Sequence, residues 1–171
     1  MKRMIWAAAG LLLLCACAQS PSEVVQKVKY DFGIGEKPEG YVTGAEKIMA
    51  GLDSVGAVEI KRMNGDSRHG EVKFQDEEGL TGKFYKEVKV YESFYPLDAR
   101  AITSAAEGDR GYLGYMDYSY RIYQSERFNT RPEAEAASAD IRTDVQGRET
   151  YRYRFSSGGV WDGQKGERSR D

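Results

Sequence analysis

Apolar residues recur at every second position through most of the chain between Gly70 and Phe155. Alternation of this kind over several residues is typical of a strand with one buried and one solvated face. Turn-forming residues interrupt the alternation repeatedly, and one-sided strands joined by turns are typical of an antiparallel sheet. The sequence therefore predicts an antiparallel sheet that needs a second layer against its apolar face.

The apolar positions of this alternation define several strands separated by turn signals. Residues 76–79 and Gln146-Gly147 predict turns, and residues 96–110 predict a long loop. We therefore expect about five to six strands in one curved sheet. The positions that carry this prediction are Val72, Phe74, Phe84, Val88, Val90, Phe94, Tyr112, Met116, Tyr118, Tyr120, Ile122, Ala139, Ile141, Thr143, Val145, Tyr151, Tyr153 and Phe155.

A helix precedes these strands. Thr43 and Glu46 have the spacing of a capping box, in which a hydroxyl and a carboxylate satisfy the first free amides. Apolar residues then recur at helical spacing, so we expect a helix that begins at Thr43 and covers the sheet. Residues 57–63 alternate again and predict a strand, although continuation of the helix fits them nearly as well. Asn64-Gly65-Asp66 then predicts a turn. The helical stripe consists of Ala45, Ile48, Met49, Leu52 and Val55.

Together these elements predict a single α+β domain over residues 41–156, with an N-terminal helix packed on a curved, mostly antiparallel sheet. The order of elements resembles the cystatin-like and nuclear-transport-factor-2-like folds. Those folds host enzymes, carriers and interaction domains, so the resemblance implies an architecture and no particular function. Residues 157–171 predict a tail, in which Val160 and Trp161 can begin one last strand.

The first seventeen residues concern targeting. Two basic residues precede the apolar run 4–14, which is too short for a transmembrane helix and typical of a secretory signal. The run ends in Leu14-Cys15-Ala16-Cys17, which resembles the lipobox of bacterial lipoproteins. Cleavage before Cys17 places the small Ala16 beside the cut, whereas cleavage before Cys15 would place bulky Leu14 there. The resemblance implies a signal peptide at residues 1–16 and acylation of Cys17.

The residue after the acylated cysteine sorts bacterial lipoproteins of the enteric type. It is Ala18 and not Asp, so the resemblance implies a lipoprotein of the cell outer membrane that faces the periplasm. Inner-membrane anchoring, exposure at the cell surface, and an ordinary cleavage after Ala18 without lipid stay open. Residues 17–40 predict a lipidated tether, in which Val24 to Tyr30 fit a short helix or a strand. The implied partners are the membrane, through the lipid, and an envelope protein.

Both cysteines lie in the first seventeen residues, so the folded domain has no thiol or disulfide and depends on its core. The whole chain has a formal net charge of −2, and loss of Lys2 and Arg3 leaves 23 basic against 27 acidic residues, or −4. A weakly acidic surface of mixed charge gives no electrostatic footprint for nucleic acid. We therefore expect no nucleic-acid partner and no cysteine-ligated metal or redox centre.

Catalytic candidates are few. His69 is the single histidine and is a candidate general base, although a lone histidine in a loop is more often a solvated surface residue. Asp76-Glu77-Glu78 is a candidate calcium turn, but it lacks the spaced ligands of known calcium loops. The sequence contains no nucleophile elbow, phosphate loop or dinucleotide fingerprint. It thus predicts no catalytic residue, no metal site and no cofactor.

The tyrosines carry the main functional signal. Twelve are present, and five of them lie between Tyr112 and Tyr123. Some tyrosines occupy the strand positions that alternate with the apolar ones. Their rings would project from the solvated face among charged residues, where they suit a contact with protein or glycan. Alternatively, a bulge turns some rings inward, or cross-strand ring pairs stabilise the sheet. The candidate binding residues are Tyr85, Tyr91, Tyr95, Tyr115, Tyr123 and Trp161.

Three functions remain open from the sequence. The first is a non-catalytic protein-binding or envelope-assembly lipoprotein that uses the open face of the sheet. The second is a module that binds glycan or a lipophilic small molecule in the concavity of the sheet. The third is an enzyme on a nuclear-transport-factor-2-like fold. The predicted location and the scarcity of catalytic residues favour the first.

Overall fold

The computed structural model describes residues 21–31, 34–36, 38–76, 82–102 and 110–169. The chain divides into two compact units, Met1–Glu36 and Lys37–Asp171. In the first unit, α1 spans Pro21–Asp31, so the segment that fitted both helix and strand is helical. The predicted signal peptide and Cys17 lie outside the described residues. None of the helices in the described part of the chain is long and apolar enough to span a membrane.

The second unit begins with a long helix, α2, which spans Gly44–Ser67. The predicted capping box is confirmed: the Thr43 N–H donates to Glu46 Oε2 at 2.7 Å, and the Glu46 N–H donates to Thr43 Oγ1 at 3.2 Å. The predicted strand at residues 57–63 and the predicted turn at residues 64–66 are wrong, because the helix continues through both.

Packing against the sheet carries α2 past residue 57. Val55, Glu59 and Met63 follow one another at helical spacing, and all three pack towards the core. Gly56 does not end the helix, because the ring of Phe94 lies directly against it. A Cβ atom at this position would come within 2.4 Å of Phe94 Cδ2. The glycine thus permits close approach of helix and sheet, which outweighs its low helix propensity.

Side chains fix the last turn of α2 to the edge of a strand. Asn64 Nδ2 donates to the Tyr91 carbonyl at 2.9 Å, and Asn64 Oδ1 accepts from the Tyr91 N–H at 2.8 Å. The Ser67 hydroxyl donates to the Lys89 carbonyl at 2.7 Å. These bonds occupy strand-edge groups that would otherwise be open to pairing with another chain. Asn64, expected in a turn, therefore anchors the helix to the sheet.

Five strands form one antiparallel sheet in the order β1-β2-β3-β4-β5. Their bounds are β1 Glu71–Gln75, β2 Lys83–Ala101, β3 Gly111–Gln124, β4 Ile141–Ser156 and β5 Glu167–Arg168. A short helix, α3, spans Arg131–Ala136 between β3 and β4 in the chain. The predicted α+β class, with a helix on an antiparallel sheet, is confirmed. The covering helix lies in the middle of the chain rather than at its N-terminus.

Two strands are longer than the sequence predicted. β2 continues to Ala101, whereas a loop was expected from Pro96 onward. β4 passes through Gln146-Gly147, where a turn was expected. Gln146 and Gly147 are paired with Arg121 and Tyr120 of β3, and a bulge at residues 143–145 comes immediately before them. The Thr143 hydroxyl closes the bulge by donating to the Ile122 carbonyl at 2.7 Å.

A bulge in β2 decides which side chains of that strand face α2. Tyr91 is paired with Tyr120 of β3, but the next pair joins Ser93 to β3, so Glu92 is an extra residue. Tyr91 faces α2 before the bulge, and Phe94 faces it after the bulge. The predicted apolar face of β2 is therefore correct for Phe94 and wrong for its members before the bulge, because the bulge reverses the alternation midway. That predicted face consisted of Phe84, Val88, Val90 and Phe94.

Aromatic rings form much of the core between α2 and the sheet. Tyr118 and Tyr153 are fully buried, and their hydroxyl oxygens lie 2.8 Å apart. The Tyr118 ring packs edge-on against Tyr151 at 5.6 Å and against Tyr91 at 6.1 Å. The paired hydroxyls satisfy one another in the interior. The buried residues of the core cluster are Ile48, Leu52, Val55, Tyr91, Ala99, Tyr112, Met116, Tyr118, Tyr153 and Phe155.

A buried carboxylate joins these tyrosines. Glu149 Oε2 accepts from the hydroxyls of Tyr91 at 2.7 Å and Tyr151 at 3.1 Å, and Glu149 Oε1 accepts from Lys89 Nζ at 2.8 Å. Burial by itself would raise the pKa of Glu149, but the hydrogen bonds from Lys89 and Tyr91 outweigh it, so the pKa is lowered. The network therefore holds an ionised carboxylate inside the fold.

We expect Glu149→Gln to lower the free energy of unfolding by roughly 2 kcal/mol at pH 7, because it leaves Lys89 and two hydroxyls without their charged acceptor. The pKa is depressed in the folded state. The carboxylate of Glu149 therefore makes its full contribution to the free energy of unfolding above pH 4.5, and this contribution is lost as the pH falls through the folded-state pKa. Urea denaturation at pH 7 and pH 3 measures the difference. Glu126→Gln, at an exposed carboxylate, is the matched control, and equal stability of the two variants at pH 7 would contradict the role of Glu149.

The buried tyrosines predict a loss of stability at alkaline pH. Burial raises the pKa of Tyr118 to about 12, although its hydrogen bond with Tyr153 opposes the rise. The unfolded chain ionises this group near 10.0, so stability is full below pH 10 and falls as the pH rises towards 12. We expect a slope of about 1.4 kcal/mol per pH unit from this group. Urea denaturation at pH 9, 10 and 11 checks it; Tyr118→Phe should reduce the slope and the exposed Tyr95→Phe should not. A flat profile would refute the prediction.

Candidate binding surface on the open face of the sheet

The six aromatic candidates divide between the two faces of the sheet. Directly opposed residues of antiparallel strands share a face, so the pairing register assigns each side chain to one side. The structure brings three candidates together on the open face, away from α2, and places the other three on the side of α2. The open-face residues are Tyr95, Tyr115 and Tyr123, and the others are Tyr85, Tyr91 and Trp161.

The three residues on the side of α2 make packing contacts within the chain. Tyr91 is only 8% exposed and belongs to the core. Tyr85 lies beneath the guanidinium of Arg127, whose Cζ is 3.8 Å from the ring centre. Trp161 packs edge-on against Tyr153, with ring centres 6.3 Å apart. These contacts use the rings for intramolecular packing, which leaves the open-face residues as candidates for binding.

The three open-face residues differ in how far the chain already engages them. The Tyr123 hydroxyl donates to Glu92 Oε1 at 3.1 Å. Tyr115 has the guanidinium of Arg100 over its ring, with Cζ 5.4 Å from the centre. Tyr95 is 70% exposed, and its side chain makes no hydrogen bond or ring contact with the described residues. Tyr95 is therefore the aromatic residue most available to a ligand.

Tyr95 lines a groove of about 490 Å³ on the open face, which we call the β2 groove. Leu97, which is 44% exposed, adds a second large apolar side chain to the same groove. The remaining lining is polar and includes a carboxylate and a guanidinium. The lining residues are Ser93, Phe94, Tyr95, Leu97, Asp117, Ser119 and Arg148.

Two bulges of β2 shape this groove. The register shifts between Tyr91 and Ser93 and again between Pro96 and Asp98, and the groove residues lie between and beside the two shifts. Each bulge bends the strand and increases its twist. Pro96 has no N–H and so cannot extend the sheet at this edge. The strand therefore exposes side chains here without offering a regular edge for pairing.

The polar groups of the groove differ in their hydrogen bonding. The hydroxyls of Ser93 and Ser119 bond to each other, and Asp117 accepts a hydrogen bond from the Thr150 hydroxyl. The Arg148 side chain, in contrast, has no ion pair or hydrogen bond with the described residues. Arg148 also lines an adjoining depression of about 360 Å³. Its guanidinium is thus free to bind a ligand group of opposite charge.

Arg148 is the first member of a row of basic residues on β4. Arg148, Arg152 and Arg154 alternate along the strand and lie opposite Ser119, Tyr115 and Leu113 of β3, so all three belong to the open face. We call them the arginine row. All three are exposed. Of these three arginines, only Arg152 has an ion-pair partner among the described residues, and that partner is Glu167 of β5.

Sequence reasoning missed the groove and the arginine row. Leu97 was expected in a loop, and Arg148 was expected beyond a turn, so neither was placed on the sheet beside Tyr95. The alternation of Arg152 and Arg154 with apolar residues was visible in the sequence and could have indicated a basic face. Its extension to Arg148 depends on the continuity of β4, which the sequence did not predict.

The catalytic and metal candidates lie away from this face. His69 is exposed just beyond α2, where Arg68 Nε donates to its Nε2 at 3.1 Å. Asp76 is exposed, and the other two residues of the acidic turn lie outside the described residues. Within the described ranges, no group of three or more His, Cys, Asp or Glu side chains is arranged to hold a metal ion. The buried Glu59 and Glu149 lie on the side of α2, where Arg62 and Lys89 pair with them.

No protein-family model, curated protein or solved structure matches this chain. The resemblance of its element order to the cystatin-like and nuclear-transport-factor-2-like folds therefore stays a prediction from the sequence. Function must be inferred from the exposure, the charge and the contacts of the open face.

We expect the β2 groove to contribute little to stability. The double substitution Tyr95→Ser and Leu97→Ser should change the free energy of unfolding by less than about 1 kcal/mol, because Tyr95 is 70% exposed and Leu97 is 44% exposed. Tyr91→Ser should cost about 3 kcal/mol or more, because it removes a buried ring and a hydrogen bond to Glu149. Urea denaturation of the three proteins makes the comparison. A large loss in the double variant would show that these residues are structural.

Proposed function

We propose that this protein is a non-catalytic lipoprotein of the outer membrane, facing the periplasm, that binds a protein partner with the β2 groove. The lipobox-like motif supports an anchor at Cys17. The observation that carries the binding proposal is the exposure of Tyr95 and Leu97 beside the unpaired Arg148 in one concave site. Membrane attachment would keep this site close to other envelope proteins.

The composition of the groove suits a protein interface. Tyrosine and arginine are enriched among the residues that dominate binding energy at such interfaces, and they act best in pockets that exclude water. Tyr95 and Leu97 supply apolar surface that a partner would bury, and Arg148 supplies a charged hydrogen-bond donor. A partner side chain that entered the groove would contact all three at once.

The exposed Leu97 side chain, together with polar groups that already bond to one another, favours protein over glycan. Recognition of a glycan needs polar groups that are free to bond its hydroxyls. The Ser93 and Ser119 hydroxyls already bond to each other, and Asp117 already accepts from Thr150. A partner with an apolar side chain and one anionic group could bind Tyr95, Leu97 and Arg148, which are the available groups of the groove.

Site-specific photo-crosslinking in intact cells tests this proposal. A photo-reactive phenylalanine analogue at position 95 or 97 should form an adduct of defined mass with the partner, because both positions are exposed in the groove. The matched control is the same analogue in place of Val58, which is 48% exposed on α2. Adducts of equal yield at all three positions, or at none, would contradict the assignment of the interface.

The anchor has its own test. We expect Cys17→Ser to release the protein from the membrane fraction into the soluble periplasmic fraction, because the acyl chains are the proposed attachment. Cys15→Ser is the matched control and should stay membrane-bound, since Cys15 would leave with the signal peptide. Fractionation and immunoblotting measure both. Retention of the Cys17→Ser protein in the membrane would refute the acylation site.

A further inference from the structure

We infer that the segment bound by the open face is an acidic, extended stretch of the partner protein, with alternate carboxylates on the arginine row and an apolar side chain in the β2 groove. This inference rests on the proposed function, which it makes specific in chemistry and conformation. It is carried by local charge, by a contact within the chain, and by the spacing of the row.

The local charge of β4 on the open face is opposite to that of the whole chain. The chain carries a formal net charge of −2, yet the open face of β4 from Arg148 to Arg154 holds three arginines and one threonine. Arg148 and Arg154 have no ion-pair partner among the described residues. Two exposed, unpaired guanidinium groups in one row favour an anionic ligand.

A contact within the chain shows how a neighbouring strand can present a carboxylate to this row. Glu167 of β5 lies opposite Arg152 in antiparallel register. Its Oε2 accepts from Arg152 Nε at 2.8 Å and lies 2.6 Å from Arg152 Nη2. Charge-assisted bonds of this kind are stronger than neutral ones. Arg148 and Arg154 have no carboxylate partner of this kind among the described residues.

The spacing of the row matches an extended peptide. Alternate residues of a strand lie about 7 Å apart on one face, so Arg152 and Arg154 are separated by one such interval. The distance from Arg148 to Arg154 is about 20 Å by the same measure. An extended segment running along β4 would present every second side chain to the face at this interval. Acidic residues at alternate positions would therefore align with the arginines.

The concavity of the site distinguishes this ligand from a lipid surface. The β2 groove is about 490 Å³ and lies beside Arg148 at one end of the row. A flat bilayer surface cannot fill a groove, whereas one apolar side chain of a peptide can enter it. A polyanionic glycan has the charge but lacks an apolar side chain for Tyr95 and Leu97.

Fluorescence anisotropy with the full chain, purified in a nonionic detergent, tests the inference. The probe is a fluorescein-labelled ten-residue peptide of alternating glutamate and serine with one central leucine. We expect it to bind at 50 mM salt and to weaken as the salt concentration rises, because screening reduces ion pairing. The double variant Arg148→Gln, Arg154→Gln should bind at least tenfold more weakly.

The control variant is the double substitution Lys61→Gln, Arg131→Gln, which removes two exposed charges from α2 and α3 and should change binding less than twofold. Equal binding of a peptide with glutamine in place of glutamate would overturn the inference. So would an equal loss in the control variant, or row-dependent binding of dextran sulfate with no binding of the acidic peptide. If position 95 crosslinks to a partner in cells while the peptide does not bind, this inference fails and the proposed function stands. If the peptide binds and no adduct forms, the proposed function fails.

Discussion

The bulge at Glu92 is the constraint on which the division between core and surface depends. The side-chain amide of Asn64 holds both backbone polar groups of Tyr91 immediately before it, so the strand cannot slide along α2 without breaking two hydrogen bonds. Because Tyr91 is fixed against the helix, the extra residue exchanges the two faces of β2 in the stretch that follows. Tyr95 consequently projects away from α2 into the open groove. A one-residue shift in register would exchange these two rings between core and solvent.

The buried tyrosines show how a domain without disulfides can keep polar groups in its core. Tyr118 and Tyr153 satisfy each other, and Tyr91 and Tyr151 share the carboxylate of Glu149. Each hydroxyl has a partner, so the rings add apolar burial and edge-on packing without the cost of an unsatisfied polar group. This network uses rings on the side of α2, and of the candidate rings on the open face only Tyr95 makes no hydrogen bond or ring contact with the described residues.

Local signals in the sequence predicted what depends on local chemistry. The Thr43–Glu46 capping box gave the start of α2, and period-two alternation gave the antiparallel strands and the α+β class. Elsewhere, tertiary contacts overrode local preference. The segment around Asn64 has residues typical of a turn, but the helix continues there and the Asn64 amide forms two hydrogen bonds with the backbone of Tyr91. A bulge that turns rings inward was one alternative from the sequence, but its position was not predictable, because one inserted residue leaves the alternation intact on both sides and only exchanges the faces. The β2 groove depends on that exchange of faces, so it could not be predicted from the sequence either.

The proposed function requires that the open face be accessible in the isolated protein and covered by a partner in the cell. The mature domain contains no other thiol if Cys15 is removed and Cys17 is acylated, so a single introduced cysteine reports on one position. Maleimide labelling of Tyr95→Cys should be fast in the purified protein and at least severalfold slower in intact cells, while Arg131→Cys, on α3, should label equally in both. Equal labelling of Tyr95→Cys in cells and in the purified protein would contradict the proposal that a partner occupies this face.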